Sequence, residues 1–152
     1  MSRNVQRAIK RLFDISVAAA LLIVLSPLLL LIALVIRITS GSPILFRWKV
    51  VGKDGTPFTG CKFRTMAQNA DQLKQTLLAQ NEMQGPVFKM KDDPRITPIG
   101  RLLRKYSLDE VPQLWSVLKG DMSLVGPRPP LQSEYAKFNA WQKRKLSVKP
   151  GM

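Results

Sequence analysis

Two carboxylates stand side by side in Ser107-Leu108-Asp109-Glu110-Val111-Pro112, and histidine is absent from all 152 residues. Without histidine, Ser-His-Asp and Cys-His catalysis are excluded, as are zinc sites built from two histidines on one helix face. Any nucleophile or proton carrier must be a carboxylate, a lysine, a tyrosine, a serine or Cys61. Asp109 and Glu110 are the candidate chemical pair. They also admit a plain structural reading, because Ser107 and Glu110 have capping-box spacing and acidic residues favour a first helical turn. Pro112 weighs on that reading. With Ser107 as the cap, Pro112 is the fifth helical residue and clashes with the Leu108 carbonyl. With Asp109 as the cap, it falls among positions whose N–H is unpaired anyway.

Composition narrows the partners. Lysine and arginine number 24 against 10 acidic residues, a net charge of +14. Such an excess suits a polyanion: nucleic acid, acidic lipid headgroups or phosphorylated substrates. The single cysteine rules out an intrachain disulfide and fits a reducing cytosol.

The elements that must position the carboxylates follow from the pattern. The expected fold is α+β and mostly helical, with residues 1–40 as a basic flank and membrane segment and 41–152 as one small cytosolic catalytic domain. Ile44 to Val51 reads as a strand, Gly52-Lys53-Asp54-Gly55 as a hairpin turn, and Phe58 to Phe63 as the return strand. The run from Gly55 to Lys62 nearly mimics a phosphate-binding loop but puts Cys61 where the lysine belongs, so Cys61 reads as a small core residue. Ala67 to Asn81 reads as a polar surface helix. Pro98 to Tyr106 reads as a short helix, apolar on one face and basic on the other, suited to a membrane surface or to an ordinary solvated face. Val111 to Leu118 makes a further helix, and Met122 to Val125 a short strand leading into the rigid loop Gly126-Pro127-Arg128-Pro129-Pro130.

From Ile15 to Ile36 there are 22 residues without a charge, 15 of them Leu, Ile or Val. As a helix this run spans about 33 Å, against a hydrocarbon core of about 30 Å. A domain this small has little apolar surface with which to wrap such a helix as a buried core element. Arg3, Arg7, Lys10 and Arg11 precede the run, and Arg37, Arg47, Lys49 and Lys53 follow it. The positive-inside rule places both flanks in the cytosol, which a straight span cannot satisfy. Ser26-Pro27 lies mid-run, where Pro27 offers no N–H to the Ile23 carbonyl and the Ser26 hydroxyl can bond back one turn. The segment therefore reads as a re-entrant helix-break-helix, with a proline-kinked span as the alternative. Asp14 is close enough to Arg11 on a helix to pair with it at the interface.

Four motifs occur in order: Lys62-Phe-Arg-Thr-Met66, Asp93-Pro-Arg-Ile-Thr-Pro-Ile-Gly-Arg101, Ser107-Leu-Asp-Glu-Val-Pro-Gln-Leu114 and Gly120-Asp-Met-Ser-Leu-Val-Gly-Pro-Arg-Pro129. With Lys10-Arg-Leu-Phe-Asp14 and Lys149-Pro-Gly151, the chain closely resembles the bacterial sugar transferase family, the monotopic polyprenyl-phosphate phosphoglycosyl transferases. The resemblance implies a re-entrant helix at Ser26-Pro27, Asp109 and Glu110 as catalytic dyad, and a bacterial inner-membrane location with the catalytic domain on the cytosolic face. Members ordinarily continue past Lys-Pro-Gly, so a C-terminal part is expected to be missing here. Either a short member or a segment of a longer one fits the N-terminal side.

The implied reaction moves a sugar 1-phosphate from a nucleoside diphosphate sugar (a UDP-sugar) to undecaprenyl or another polyprenyl phosphate. UMP is released, and a covalent aspartyl-phosphosugar forms on Asp109. Such a step opens exopolysaccharide, O-antigen or glycoconjugate synthesis, including lipopolysaccharide. Carboxylates form aspartyl-phosphates elsewhere, and a phosphate acceptor with a second pKa of about 6 needs little deprotonation. The chemistry asks for positive charge on phosphate oxygens. Mg²⁺ is the expected cofactor, with Asp109 as a metal ligand. Arg128, between Pro127 and Pro129, is the expected phosphate clamp, because guanidinium grips phosphate as a fork. Lys62 and Arg64 are placed near the dyad by the resemblance, Lys62 as a partner for Glu110, while Asp121 and Glu134 read as structural. The lipid bilayer is a further partner, with homo-oligomerisation left open. A basic nucleic-acid module with Trp48, Trp115 and Trp141 as stacking groups is the competing class. It is disfavoured because the tryptophans are not interleaved with the basic clusters. A catalytically incomplete membrane scaffold is the third.

Overall fold

The computed structural model describes residues 2–77, 82, 90 and 92–152. One helix, α1 (Arg3–Ser40), carries the whole apolar run. Ser2 caps it by accepting from the Val5 N–H at 3.4 Å. Helical backbone continues through Pro27, so the expected break into two half-helices is not a break in the secondary structure. The reason is local. Pro27 withholds a donor from the Ile23 carbonyl, and the Ser26 hydroxyl donates to that same carbonyl at 2.8 Å.

The helix packs on the rest of the chain at both ends. Asp14, Ala18, Ile32 and Ile36 are buried, spaced by four at each end and sharing one helical face. Ala18 joins Leu114, Val117 and Met122 in one core cluster; Ile32 and Ile36 join Phe63 and Leu103 in a second. Ile23, Val24 and Leu30 point outward, each more than 70% exposed. A core helix would bury such residues all round; this one leaves an apolar face open.

Polar contacts pin the same two ends. Asp14 bonds Lys10, one turn back, instead of the expected Arg11, and also accepts from the Ser123 hydroxyl at 2.9 Å. Arg11 is directed onto the Val117 and Leu118 carbonyls at 2.6 and 2.7 Å. Burial raises the Asp14 pKa, but hydrogen bonds from Lys10, Ser123 and the Leu124 N–H outweigh it and leave the carboxyl below its ordinary range.

Strands β1 (Leu45–Val51) and β2 (Pro57–Phe63) form the expected antiparallel hairpin, with Trp48 opposite Gly60 and Phe46 opposite Lys62. Its turn is a short 3-10 segment in which Asp54 and Gly55 take positive φ. Because Gly60 is a paired strand residue, the phosphate-loop likeness of residues 55–62 is a likeness of letters alone. The surface helix α2 (Ala70–Thr76) is shorter than expected at its start, and the expected stretch 78–81 lies outside the described residues.

The Asp93–Arg101 motif is structural. Asp93 and Arg95, both buried, form a fork with Nε–Oδ1 2.9 Å and Nη2–Oδ2 2.6 Å. Residues 65–67 pair with 95–97, and Thr97 caps α3 (Pro98–Lys105) by accepting from the Gly100 N–H. A Cβ on Gly100 would stand 2.1 Å from the Thr65 oxygen, so only glycine lets α3 seat there. On α3, Leu103 is buried while Leu102 is exposed. The apolar face is thus divided between core and surface.

The expected helix from Val111 is a 3-10 helix (Leu108–Gln113) followed by α4 (Leu114–Lys119). No strand forms at Met122–Val125; Ser123 makes a single parallel bridge with Gly151. The chain closes through α5 (Gln132–Tyr135), α6 (Ala140–Lys143) and a last 3-10 turn.

Candidate active site

Ser107 determines how the carboxylates are presented. It takes left-handed backbone, φ 55 and ψ 21, immediately after α3. That conformation costs a non-glycine residue about 1 kcal/mol or more. It reverses the chain so that a 3-10 turn, and not a side-chain cap, opens the next segment. Neither expected cap forms: Ser107 makes no side-chain bond to the turn. Pro112 sits inside this 3-10 helix, whose tighter i to i−3 bonding replaces the α-type pattern that its ring would obstruct.

The adjacent carboxylates are thereby separated in environment. Asp109 is 4% exposed and Glu110 lies on the surface. The 3-10 helix packs beside β2, where Lys62 Nζ stands 4.0 Å from Asp109 Oδ2. Lys62 therefore faces Asp109, not Glu110 as expected. Its ammonium also lies over the Trp48 ring, 5.4 Å from the centroid, and Phe46 stacks beside that ring with centroids 6.1 Å apart. Gly60 opposite Trp48 leaves room for the indole, since a Cβ there would come within 3.0 Å of it. A buried carboxylate flanked by one cation on an aromatic surface can attack an electrophile whose negative charge the cation offsets.

Arg64 has another task than the expected phosphate contact. Its guanidinium, buried with the side chain, donates to the Ser40, Gly41 and Ser42 carbonyls, closing the C-terminal end of α1. Those bonds occupy two of its nitrogens with backbone carbonyls. Arg128 is exposed and, among the described residues, makes no ion pair or hydrogen bond. The loop that carries it is held firmly. The Gly151 N–H donates to the Pro127 carbonyl at 3.0 Å, and the Val51 N–H to Pro130 at 3.0 Å. Gly126 and Gly151 touch through bare backbone, where a Cβ on either would come within 2.4 Å of the other strand.

The remaining candidates are structural. Asp121 pairs with Lys119 at 3.1 Å, and Glu134 accepts from the Leu131 N–H at 2.9 Å. Burial pushes the Cys61 thiol up, though Arg47 and Lys119 oppose it, and Sγ lies against the Pro112 carbonyl at 3.6 Å. A raised thiol is a poor nucleophile.

Comparison with known proteins bears on this arrangement directly. The sequence profile of the bacterial sugar transferases matches residues 5–152, which include both carboxylates, Lys62 and the Arg128 loop. The chain belongs to the bacterial sugar transferase family. Galactosyl transferase CpsE of Streptococcus agalactiae is 48% identical over 143 residues, covering 94% of this chain and 32% of that protein. The undecaprenyl-phosphate galactose phosphotransferase of Salmonella typhimurium is 42% identical, covering all of this chain and 33% of its own length. The UDP-glucose:undecaprenyl-phosphate glucose-1-phosphate transferase of Escherichia coli is 38% identical, covering 98% and 30%. The sugar transferase chain thus spans about a third of the length of these relatives.

Two features of this candidate site were not read from the sequence. Trp48 read as a stacking group of the disfavoured nucleic-acid class; its place under Lys62 depends on the hairpin register. Ser107 read as a helix cap, and serine is not a residue that announces left-handed backbone.

Proposed function

We propose that this chain transfers a sugar 1-phosphate from a nucleoside diphosphate sugar to a polyprenyl phosphate at the cytosolic face of a bacterial inner membrane. The observation that carries the reading is the buried Asp109 facing Lys62 in a member of this family. Two of the relatives bear names that specify undecaprenyl phosphate and a hexose phosphate. In the proposed first step, an Asp109 oxygen attacks the sugar-bearing phosphorus. The bond from that phosphorus to the bridging oxygen breaks, and the nucleoside monophosphate leaves with the electron pair. In the second, a phosphate oxygen of the polyprenyl phosphate attacks the acyl phosphate, and Asp109 departs as carboxylate. Lys62 offsets the charge that gathers on the diphosphate, and Arg128 is positioned on a fixed loop to grip phosphate oxygens.

The donor set fits Mg²⁺. Among the described residues no three acidic, cysteine or histidine side chains converge, but Mg²⁺ binds through one or two carboxylates together with water and phosphate oxygens. Asp109 is the residue that would hold it. When bound it would neutralise diphosphate charge.

Packing supports the proposed topology. Residues on both sides of Pro27 seat on the same charged domain, at Ala18 and at Ile36. Along the helix those residues are about 27 Å apart, so a spanning helix would draw that domain into hydrocarbon. Both ends on one side, with the exposed apolar face of α1 in lipid, avoids this penalty.

The test is direct. The chain in detergent is incubated with a panel of nucleoside diphosphate sugars, polyprenyl phosphate and Mg²⁺, and nucleoside monophosphate release is followed. Release with wild type and less than about a tenth of that rate with Asp109→Asn, a loss of at least 1.4 kcal/mol, is expected. Equal rates in folded Asp109→Asn protein would remove Asp109 from the reaction.

A further inference from the structure

A cavity of about 590 Å³ opens beside the first turns of α1, and none of its lining residues is Lys62, Asp109, Glu110 or Arg128. Five cations face it: Arg7, Lys10 and Arg11 from α1, Lys53 from the hairpin turn, and Lys149. Asp14 is the one carboxylate in its wall, and that group is already occupied by Lys10, Ser123 and the Leu124 N–H. Lys53 pairs with Asp54 at 3.2 Å, and Arg11 is spent on backbone carbonyls. Arg7 and Lys149 make no ion pair or hydrogen bond among the described residues.

The charge there is crowded as well as unbalanced. Arg11 Nη2 and Lys149 Nζ each come within 3.3 Å of the point where a Cβ on Gly120 would stand. Burial first, and Arg11 second, hold Lys149 below the ordinary lysine range. A bound anion relieves both effects.

The surroundings indicate what carries the anion. The cavity's α1 residues end at Asp14, one position before the uncharged run begins. Among the residues that line it, Val125 and Val148 are 77% and 53% exposed. Unengaged cations beside exposed apolar side chains at the mouth of a membrane segment match a phosphate attached to acyl chains.

We propose that this cavity binds the phosphate of an anionic lipid headgroup, with Arg7 and Lys149 as its charged contacts and Val125 and Val148 beside the start of the lipid tails. The proposal rests on the membrane reading of α1 given above, and on no step of the sugar-phosphate chemistry. Its test therefore reads binding and not turnover.

The full chain in detergent micelles is titrated calorimetrically with dihexanoyl phosphatidic acid, dihexanoyl phosphatidylcholine and inorganic phosphate. The acidic lipid should saturate one site, with the other two at least about tenfold weaker. Arg7→Gln with Lys149→Gln should weaken the acidic lipid by about tenfold or more. Lys49→Gln with Lys137→Gln removes the same charge from exposed positions outside the cavity and should change affinity less than about twofold. If the first double variant melts abnormally, each single substitution is measured in its place. Equal affinity for inorganic phosphate would overturn the lipid assignment. An equal effect of the control pair would reduce the binding to bulk charge, and absence of saturation would remove the site.

Discussion

Lys62 holds its ammonium 4.0 Å from the Asp109 carboxylate while resting over the Trp48 ring, so one cation serves a buried acid and an aromatic face together. The separation is at the loose limit of an ion pair. It leaves the lysine able to turn toward phosphate oxygens without a bidentate contact to break. A fixed positive charge beside the attacked phosphorus is worth most where charge develops.

Replacing Lys62 by methionine keeps the stem and removes the charge. The expected result is a loss of about ten- to a hundredfold in kcat/KM for nucleotide sugar, equivalent to roughly 1.5–3 kcal/mol. Some thermal stability should be lost as well, because buried Asp109 is left without its cation. Monophosphate release kinetics with parallel melting curves check both halves; unchanged kinetics would leave Lys62 a bystander.

Arg128→Ala should weaken phosphate handling by a similar factor and spare the fold, since the loop is held by the Gly151 and Val51 backbone bonds and not by this side chain. Arg64→Ala should behave in the opposite way, lowering stability through the freed carbonyls of residues 40–42. Measuring melting temperature and kcat/KM for the two variants side by side separates the roles. A stable but inactive Arg64→Ala would restore it to the site.

The Asp93–Arg95 fork makes an acid-stability prediction. The hydrogen bond from Arg95 is the main influence holding Asp93 below its ordinary value of 3.8, with burial opposing it. A depressed carboxylate contributes stability that is fully present above the unfolded pKa and lost as pH falls through the folded one. Stability should therefore decline below about pH 4 in wild type. Asp93→Asn, which takes the carboxylate charge from buried Arg95, should cost about 3 kcal/mol at neutral pH and flatten that decline. Denaturant unfolding between pH 3 and pH 7 supplies the check; equal slopes in the two proteins would contradict the role given to Asp93.

Topology is tested by labelling. With Cys61 changed to Ser, a cysteine at Ser2 should be protected from an impermeant reagent in intact spheroplasts and react after lysis. Labelling of Ser2→Cys before lysis in the otherwise wild-type helix would mean that α1 crosses.

Much of the molecule was legible because its causes are local. Alternation and a Gly-rich turn mark the hairpin, Thr97-Pro98 marks the start of α3, and a long uncharged run marks α1. Proline and serine at 26–27 were also correctly seen to interact with the Ile23 carbonyl. The expected interruption of the helix does not appear, because the Ser26 hydroxyl takes up the Ile23 carbonyl and helical backbone continues. At 107–113 local signals pointed to an α-helical cap, yet the left-handed Ser107 and a 3-10 turn prevail there. That strain persists only where surrounding packing over-determines it.

By itself, then, the sequence determined the excluded chemistries, the apolar segment and the hairpin, all of which follow from residue type and short spacing. Tertiary structure alone decided that Asp109 is buried while Glu110 is exposed, and that Lys62 faces the former. It also turned Arg64 to the end of α1, tied Asp14 to Ser123 across 109 residues, and gathered Arg7 and Lys149 at one cavity. Those outcomes depend on which backbone segments meet. A long cationic side chain goes to whichever carbonyl or carboxylate the packing brings within reach, and no periodicity in the chain records that choice.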